Sequence, residues 1–132
     1  MTSKSFPATI SQLPSMLIWV RTHLDQTSLA KPEKMRLELA MEEAIVNVIK
    51  HGKVDELSLG ACQSEGQQIE FELTDAGPAF NPLTHPLPEE TDLPLEKLEP
   101  GGKGLILMRK CTDAILYRRD GDLNVLTIVK KI

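Results

Sequence analysis

A long helix near the middle of the chain is the feature that most restricts what this sequence can fold into. Residues 36–52 have helical character, with Pro32 where a first turn tolerates proline and Gly52 where a left-handed C-terminal cap favours glycine. Between Ala44 and Ile49 the only polar residue is Asn47, and a helix that is apolar on all sides is normally buried. We therefore expect this helix to be buried and Asn47 to have a polar partner.

Three polar side chains share one face of this helix, because Glu43, Asn47 and Lys50 follow the spacing i, i+4, i+7. One interpretation is an internal hydrogen-bonded ion pair that faces a neighbouring strand. The other is a site for a cation and a phosphate. Asn47 would then give an oxygen to Mg²⁺, which prefers oxygen ligands, and Glu43 would act as general base on a hydroxyl or water. The helix alone leaves both open.

Length and composition exclude several classes of protein. The 132 residues fit a single domain, 1–132, with one core. A net charge of −4 argues against a nucleic-acid partner, which would favour a basic surface. Cys62 and Cys111 show no metal-ligand spacing and no secretory signal precedes them, which predicts a cytoplasmic protein. The longest apolar run, 16–20, is far shorter than the ~20 residues of a membrane span.

The remaining periodic segments predict a largely antiparallel sheet with further helices. An edge strand at 5–10, which Pro7 keeps out of the sheet centre, leads into a helix at 11–26. Two hairpins are predicted, one from strands 56–63 and 68–74 and one from strands 114–118 and 123–129. In the last strand Leu126 and Ile128 alternate with Val125, Thr127 and Val129.

Two loops carry residues of functional interest. Asp75 and Gly77 follow the second strand of the first hairpin, where an ordinary turn is one interpretation. The other is a backbone that approaches a flat ligand closely while the carboxylate accepts from an exocyclic amine.

The second loop, at 81–100, contains five prolines and has no clear period, which predicts a lid that reaches to about residue 103. Gly101, Gly102 and Gly104 then lead into an apolar helix with Lys103 among them. The free N–H groups and the positive end of such a helix favour an anion, although the pattern alone is a weak signal.

Three motifs in this order, Glu43-x-x-x-Asn47, Asp75-x-Gly77 and Gly102-x-Gly104, resemble the GHKL superfamily of ATP-binding domains. That superfamily contains the gyrase, heat-shock chaperone, histidine kinase and mismatch-repair ATPases. The segments 39–47, 75–82 and 101–108 look most like the small bacterial anti-sigma factor serine-protein kinases, the RsbW-like family. The resemblance extends over most of the chain.

The resemblance implies an α+β two-layer sandwich, with a mixed, mostly antiparallel sheet and three main helices on one face. ATP would lie between the long helix and the lid, with Mg²⁺ as cofactor. Glu43 is implied as general base, Asn47 as Mg²⁺ ligand and Asp75 as acceptor from the adenine amino group. Asn124 matches a place where relatives often have Thr near adenine. The full set of implied nucleotide-binding residues is Asn47, Lys50, His51, Asp75, Gly77, Gly102, Lys103, Gly104, Leu105 and Asn124.

The implied activity is Mg-ATP-dependent phosphorylation of a Ser or Thr on a STAS-domain anti-anti-sigma protein. A sigma factor as second partner and a homodimer are implied as well. An alternative is an ATP-binding partner-switching module with little or no kinase activity, and a third possibility is a nucleotide-free structural domain. Ala79 stands where many relatives have a second glycine, and Pro100 where some kinases have Arg. Both departures bear on phosphate transfer more than on binding.

Overall fold

The computed structural model describes residues 1–64, 67–84 and 103–132. The strands are β1 (Thr2–Pro7), β2 (Glu56–Ser64), β3 (Gln68–Asp75), β4 (Ala114–Asp120) and β5 (Leu123–Lys131). The helices are α1 (Leu13–Leu24), α2 (Lys31–His51) and α3 (Lys103–Lys110), and short 3-10 helices cover Ile10–Gln12 and Pro82–Thr84. No helix in these ranges combines the length and apolarity needed to span a membrane.

The five strands form one sheet in the order β1-β2-β3-β5-β4. Every pairing between them is antiparallel. The predicted α+β two-layer fold is confirmed, but the parallel pairing that a mixed sheet requires is not found among these strands. The reason is that β5 returns beside β3 after α3 and β4, running in the opposite direction to β3.

The core lies between one face of the sheet and the helices. Along β3, Ile69, Phe71 and Leu73 are buried on that face, while the residues between them are only half-buried. Leucines of β2 and β5 share the face with them. The helices contribute Met16, Val20 and Leu24 from α1 and Leu37, Met41 and Ile45 from α2. Burying a side chain of this size stabilises the fold by about 1.5–3 kcal/mol.

Strand β5 is buried on both faces, although the helices of the described ranges cover only one of them. Val125 and Thr127 point away from the helices, yet they are 4% and 8% exposed. The register places Glu72 of β3 beside Thr127 and Arg118 of β4 beside Val125. Arg118 and Glu72 form an ion pair, with 3.6 Å between Arg118 Nη2 and Glu72 Oε1. The ion pair itself contributes little at the surface, but the aliphatic stems cover the strand.

The end of α2 differs from the prediction of a left-handed Gly52. Gly52 has φ −76°, and the next residue, Lys53, takes the left-handed conformation with φ 53°. Glycine is required at 52 for space instead, since a Cβ there would lie 2.6 Å from the Val48 carbonyl oxygen.

On α1, His23 is half-buried and packs against Trp19, with ring centroids 4.2 Å apart and ring planes tilted by 54°. Trp19 in turn meets Phe71 of β3 edge-on at 6.4 Å. Burial lowers the pKa of the His23 imidazole below its ordinary value.

We predict that His23 makes the fold less stable in acid. A lowered pKa means that the folded protein binds fewer protons than the unfolded chain, so this contribution is complete above the unfolded pKa of about 6.5. It is lost as the pH falls below that value. Urea unfolding followed through Trp19, the only tryptophan, should give a larger loss between pH 7.5 and 5.5 for wild type than for His23→Gln. Equal losses in the two proteins would contradict the prediction, since the other histidines are common to both.

Candidate functional site

A cleft opens where the C-terminal half of α2 faces the ends of β3 and β5. It holds about 420 Å³ of space when the open solvent at its mouth is included. Its polar side chains are Asn47, Asp75, Tyr117 and Asn124, and the other lining residues are Ala44, Val48, Gly52, Leu73, Phe80, Pro82 and Leu126. An apolar cleft with a few convergent polar groups suits a flat, partly polar ligand.

Asn47 lies on the α2 side of this cleft. The expectation that it is buried is wrong, because the residue is half-buried. Its carboxamide makes no hydrogen bond to the described residues. The physical reason is that the apolar residues around it line an open cleft as well as the core. Its oxygen is therefore available to a ligand.

Glu43 lies one turn before Asn47 and is half-buried, whereas Lys50 is exposed. No ion pair in the described ranges includes either of them. The internal ion pair, which was one of the two interpretations of this helix face, is thus not present in this part of the chain.

Asp75, at the end of β3, is 7% exposed. Its Oδ1 accepts from the Gly77 N–H at 2.9 Å and from Asn124 Nδ2 at 3.0 Å. Its Oδ2 accepts from none of the described residues. The turn does not use the whole carboxylate: Oδ1 closes the turn, and Oδ2 remains for the cleft that Asp75 lines.

Gly77 touches the end of α2 backbone to backbone. A Cβ at this position would lie 2.3 Å from the Gly52 carbonyl oxygen and 2.8 Å from Val54 Cγ1. The Gly77 carbonyl also accepts from Arg119 Nη1 at 2.8 Å. The sequence suggested that the backbone at Gly77 approaches a ligand closely. In the structure, the backbone at Gly77 closely approaches the end of α2 at Gly52.

Asn124 of β5 has its hydrogen-bonding groups engaged by the protein. Its Oδ1 accepts from the Tyr117 hydroxyl at 2.6 Å and from the Phe80 N–H at 3.2 Å. Its Nδ2 donates to Asp75 Oδ1 and to the Pro78 carbonyl at 2.9 Å. An amide group has two hydrogens to donate, so Asn124 supports the loop instead of offering a spare donor to a ligand.

The remaining predicted residues lie around the cleft or outside the described ranges. Lys50 and His51 are exposed at the end of α2, with the His51 ring 6.3 Å from that of Phe80. Lys103, Gly104 and Leu105 form the first turn of α3, which packs against α2. Gly102 and most of the predicted lid at 81–103 lie outside the described residues, and so does Pro100.

Sequence reasoning missed Tyr117, Phe80 and Arg119. Tyr117 pairs with Leu126 across the β4–β5 ladder and points to the same face as Asn124. The alternation of the second hairpin contains this information once its register is known.

Comparison with known proteins agrees with this geometry. Residues 6–130 match the sequence profile of a family described as the histidine kinase-like ATPase domain. The chain belongs to this family. The resemblance inferred from the three motifs is confirmed, and the protein is an ATP-binding, kinase-like ATPase domain.

A named relative of this ATPase domain is the serine/threonine-protein kinase BtrW of Bordetella bronchiseptica. The two are 30% identical over 99 residues, with 72% of this chain and 68% of the relative covered. The similarity agrees with the branch of the superfamily that the motifs indicated.

We predict that Gly77→Ala destabilises this ATPase domain by about 1–3 kcal/mol, since the new methyl group overlaps backbone that cannot move freely. Chemical denaturation would measure the loss. Gly121→Asn is the matched control: Gly121 is also a turn glycine, with φ +59° and no atom within 4 Å of an added Cβ. Asn tolerates that conformation, so the control should stay close to wild type. A Gly77→Ala protein as stable as the control would contradict the close contact with Gly52.

Proposed function

We propose that this chain is a Mg-ATP-dependent protein serine/threonine kinase that acts as an anti-sigma factor. Its substrate would be a serine or threonine on a STAS-domain anti-anti-sigma protein, and its second partner a sigma factor. The observation that carries the proposal is that Asn47 and Asp75, from separate motifs, line one cleft in a histidine kinase-like ATPase domain.

The Asp75 side of the cleft suits adenine. The open Oδ2 of Asp75 is an acceptor for the exocyclic amino group. Leu73, Leu126 and Val48 provide apolar surface for the faces of a flat ring. Adenine has both properties, a planar apolar body and an amino group at its edge.

The Asn47 side suits the triphosphate and its cation. The Asn47 oxygen is a hard ligand without a partner among the described residues, which fits Mg²⁺. Within the described ranges no three His, Cys, Asp or Glu side chains converge on a metal site. Mg²⁺ would therefore take most of its ligands from phosphate and water, and when bound it would neutralise charge on the phosphates. Gly102, Gly104 and the Leu105 amide are the proposed phosphate cradle, with Lys50, His51 and Lys103 as further contacts.

Glu43 is the proposed general base. Glu43 lies one helical turn before Asn47, so its carboxylate would be near the cation without being the proposed ligand. In the described part of the chain, Glu43 forms no ion pair. A carboxylate in this place can take the proton of the attacking hydroxyl. The similarity to a named serine/threonine-protein kinase supports a Ser or Thr hydroxyl as acceptor.

The partners rest on the family resemblance. The STAS-domain antagonist, the sigma factor, a homodimer and a cytoplasmic location all belong to the proposal, and neither nucleic acid nor membrane is proposed as a partner. The alternative function is an ATP-binding partner-switching module with little or no kinase activity. It is favoured by Ala79, which stands where many relatives have a second glycine, and by Pro100, which stands where some kinases have Arg.

We predict that Glu43→Gln lowers phosphate transfer to the STAS partner by roughly 10²- to 10⁴-fold, the usual contribution of a general base. The amide keeps the shape of the side chain but cannot take a proton, so ATP binding should persist. Transfer is measured with labelled ATP and Mg²⁺, and binding by calorimetry. Glu42→Gln is the matched control, a neighbouring half-buried glutamate on a different face of α2. Full transfer by Glu43→Gln would refute the base assignment, and wild-type binding without transfer would favour the alternative function.

We predict that Asn47→Ala removes most of the gain in nucleotide affinity that Mg²⁺ confers on wild type. The Mg²⁺-free affinity should change little, because the adenine contacts lie on β3 and β5. Calorimetric titration of ADP with Mg²⁺ and with EDTA measures both values, and the Glu42→Gln protein again serves as control. An intact Mg²⁺ gain in Asn47→Ala would show that the cation takes no ligand from this position.

A further inference from the structure

The hydrogen bonds around Asn124 fix the orientation of its carboxamide. Two donors, the Tyr117 hydroxyl and the Phe80 N–H, lie on the Oδ1 side. Among the described residues, the hydrogen-bond partners on the Nδ2 side are all acceptors, namely Asp75 Oδ1 at 3.0 Å and the carbonyls of Pro78 at 2.9 Å and Gly77 at 3.4 Å. A flipped amide would place its NH₂ against the Phe80 N–H and its oxygen against a carboxylate, so only one orientation satisfies the network.

This orientation in turn fixes the Asp75 carboxylate. Oδ1 holds two hydrogen bonds, from the Gly77 N–H and from Asn124 Nδ2. Rotation about the carboxyl bond would break both of them in a site where Asp75 and Asn124 are 7% and 6% exposed. The oxygen that remains for a ligand, Oδ2, is therefore an acceptor in a set direction.

We propose that Asn124, oriented by Tyr117, is a positioning residue that makes the Asp75 carboxylate selective for a 6-amino purine over a 6-oxo purine. This inference rests on the proposed function, because it concerns the base of the nucleotide in the same cleft. Asn124 acts through Asp75 and through the loop that contains Pro78 and Phe80. It does not itself contact the base.

The selectivity follows from what each base presents to Oδ2. An amino group donates a hydrogen bond to the fixed oxygen. A carbonyl at the same place faces it with a second acceptor. A carboxylate has no hydrogen to donate, and Asn124 is held with its NH₂ on Asp75 Oδ1 and the Pro78 carbonyl, so the carboxylate oxygen is left unpaired. An unpaired buried acceptor weakens binding by roughly 10- to 100-fold. Wild type should prefer ADP to inosine diphosphate by that factor, since the two ligands carry the same phosphates.

The test is Asn124→Asp, which keeps the shape of the side chain and its acceptor toward Tyr117 and Phe80. It replaces the donor that lies 3.0 Å from Asp75 Oδ1 with a second carboxylate oxygen. At pH 8 the two carboxylates repel, and Asp75 keeps only the hydrogen bond from the Gly77 N–H. The ratio of ADP affinity to inosine diphosphate affinity should then fall to about 3 or less, because the hydrogen bond from position 124 is lost. At pH 5.5 the pair shares a proton, since two carboxylates this close do not both ionise readily. The donor is then restored, and the preference should recover.

Other groups near the pair also titrate or carry charge, so controls are measured at both values of pH. Arg119 donates to the Gly77 carbonyl, the Tyr117 hydroxyl meets Asn124, and His51 lies beside Phe80. Asn81→Asp is the matched control, because its oxygen accepts from the Leu83 N–H, a role that a carboxylate keeps. Wild type and Asn81→Asp should retain the ADP preference at pH 5.5 and pH 8.

Tyr117→Phe provides a second variant with no change in charge. It removes one donor to the Asn124 oxygen and leaves the carboxamide less firmly held, so the ADP preference should fall by roughly 3- to 10-fold. Thermal unfolding of each protein measures any loss of stability. Such a loss lowers the affinity for both nucleotides equally, so it leaves the ratio of the two affinities unchanged.

The outcomes separate the inference from the function it rests on. The inference is supported if both variants show a reduced preference for ADP over inosine diphosphate and if the preference of Asn124→Asp recovers at pH 5.5. Wild-type preference in Tyr117→Phe and in folded Asn124→Asp at pH 8 overturns it while ADP binding still supports the proposed function. If Asn124→Asp does not fold, the ratio for Tyr117→Phe decides alone. A wild-type protein that binds neither nucleotide contradicts the proposed function and the inference together.

Discussion

The contact between Gly52 and Gly77 is the constraint on which the rest of the site depends. A side chain at 77 would lie 2.3 Å from the Gly52 carbonyl, so the end of α2 and the loop after β3 meet only as bare backbone. Asn47 lies shortly before the first glycine and Asp75 shortly before the second. The contact therefore brings a helix residue and a strand residue to the same cleft, although neither makes a hydrogen bond to the other.

The two sides of the cleft are held in different ways. On the sheet side, Asp75 and Asn124 have nearly all their hydrogen-bonding groups engaged, and Arg119 ties the β4–β5 turn to the Gly77 carbonyl. On the helix side, Asn47 and Glu43 are half-buried and have no such partners among the described residues. A rigid side recognises a rigid group at low entropic cost. The side with unengaged oxygens suits a cation and phosphates, which bring their own charge and water.

How far the sequence predicts this arrangement depends on the range of each interaction. Local periodicity was enough for the first two helices, the two hairpins and the inward face of β3, and the glycine cluster before an apolar segment indicated the third helix. The motif spacing also indicated that Asn47 and Asp75 are of functional interest, and the structure places both on one cleft. The left-handed conformation was expected at Gly52 but lies at Lys53, because the space beside Val48, and not φ, requires the glycine. The prediction that Asn47 is buried was wrong, because apolar neighbours can line a cleft as well as a core.

Apart from the Tyr117–Asn124 bond, which lies within the β4–β5 hairpin, the contacts that were missed depend on strand order. β5 pairs with β3 as well as with β4, and only this non-sequential pairing sets Asn124 opposite Asp75. The cover of β5 by Glu72 and Arg118 arises from the same pairing.

Once Asn124 stands there, its chemistry is narrowly limited. A side chain at this position must accept from Tyr117 and Phe80 and also donate to both Asp75 and the Pro78 carbonyl. A hydroxyl has one proton and would leave one of the two acceptors unpaired, whereas a carboxylate has none when ionised. Only an amide makes all four hydrogen bonds at this reach. Asn124, at a position where the family resemblance implies Thr, can therefore also hold the carboxylate that is proposed to accept from the base.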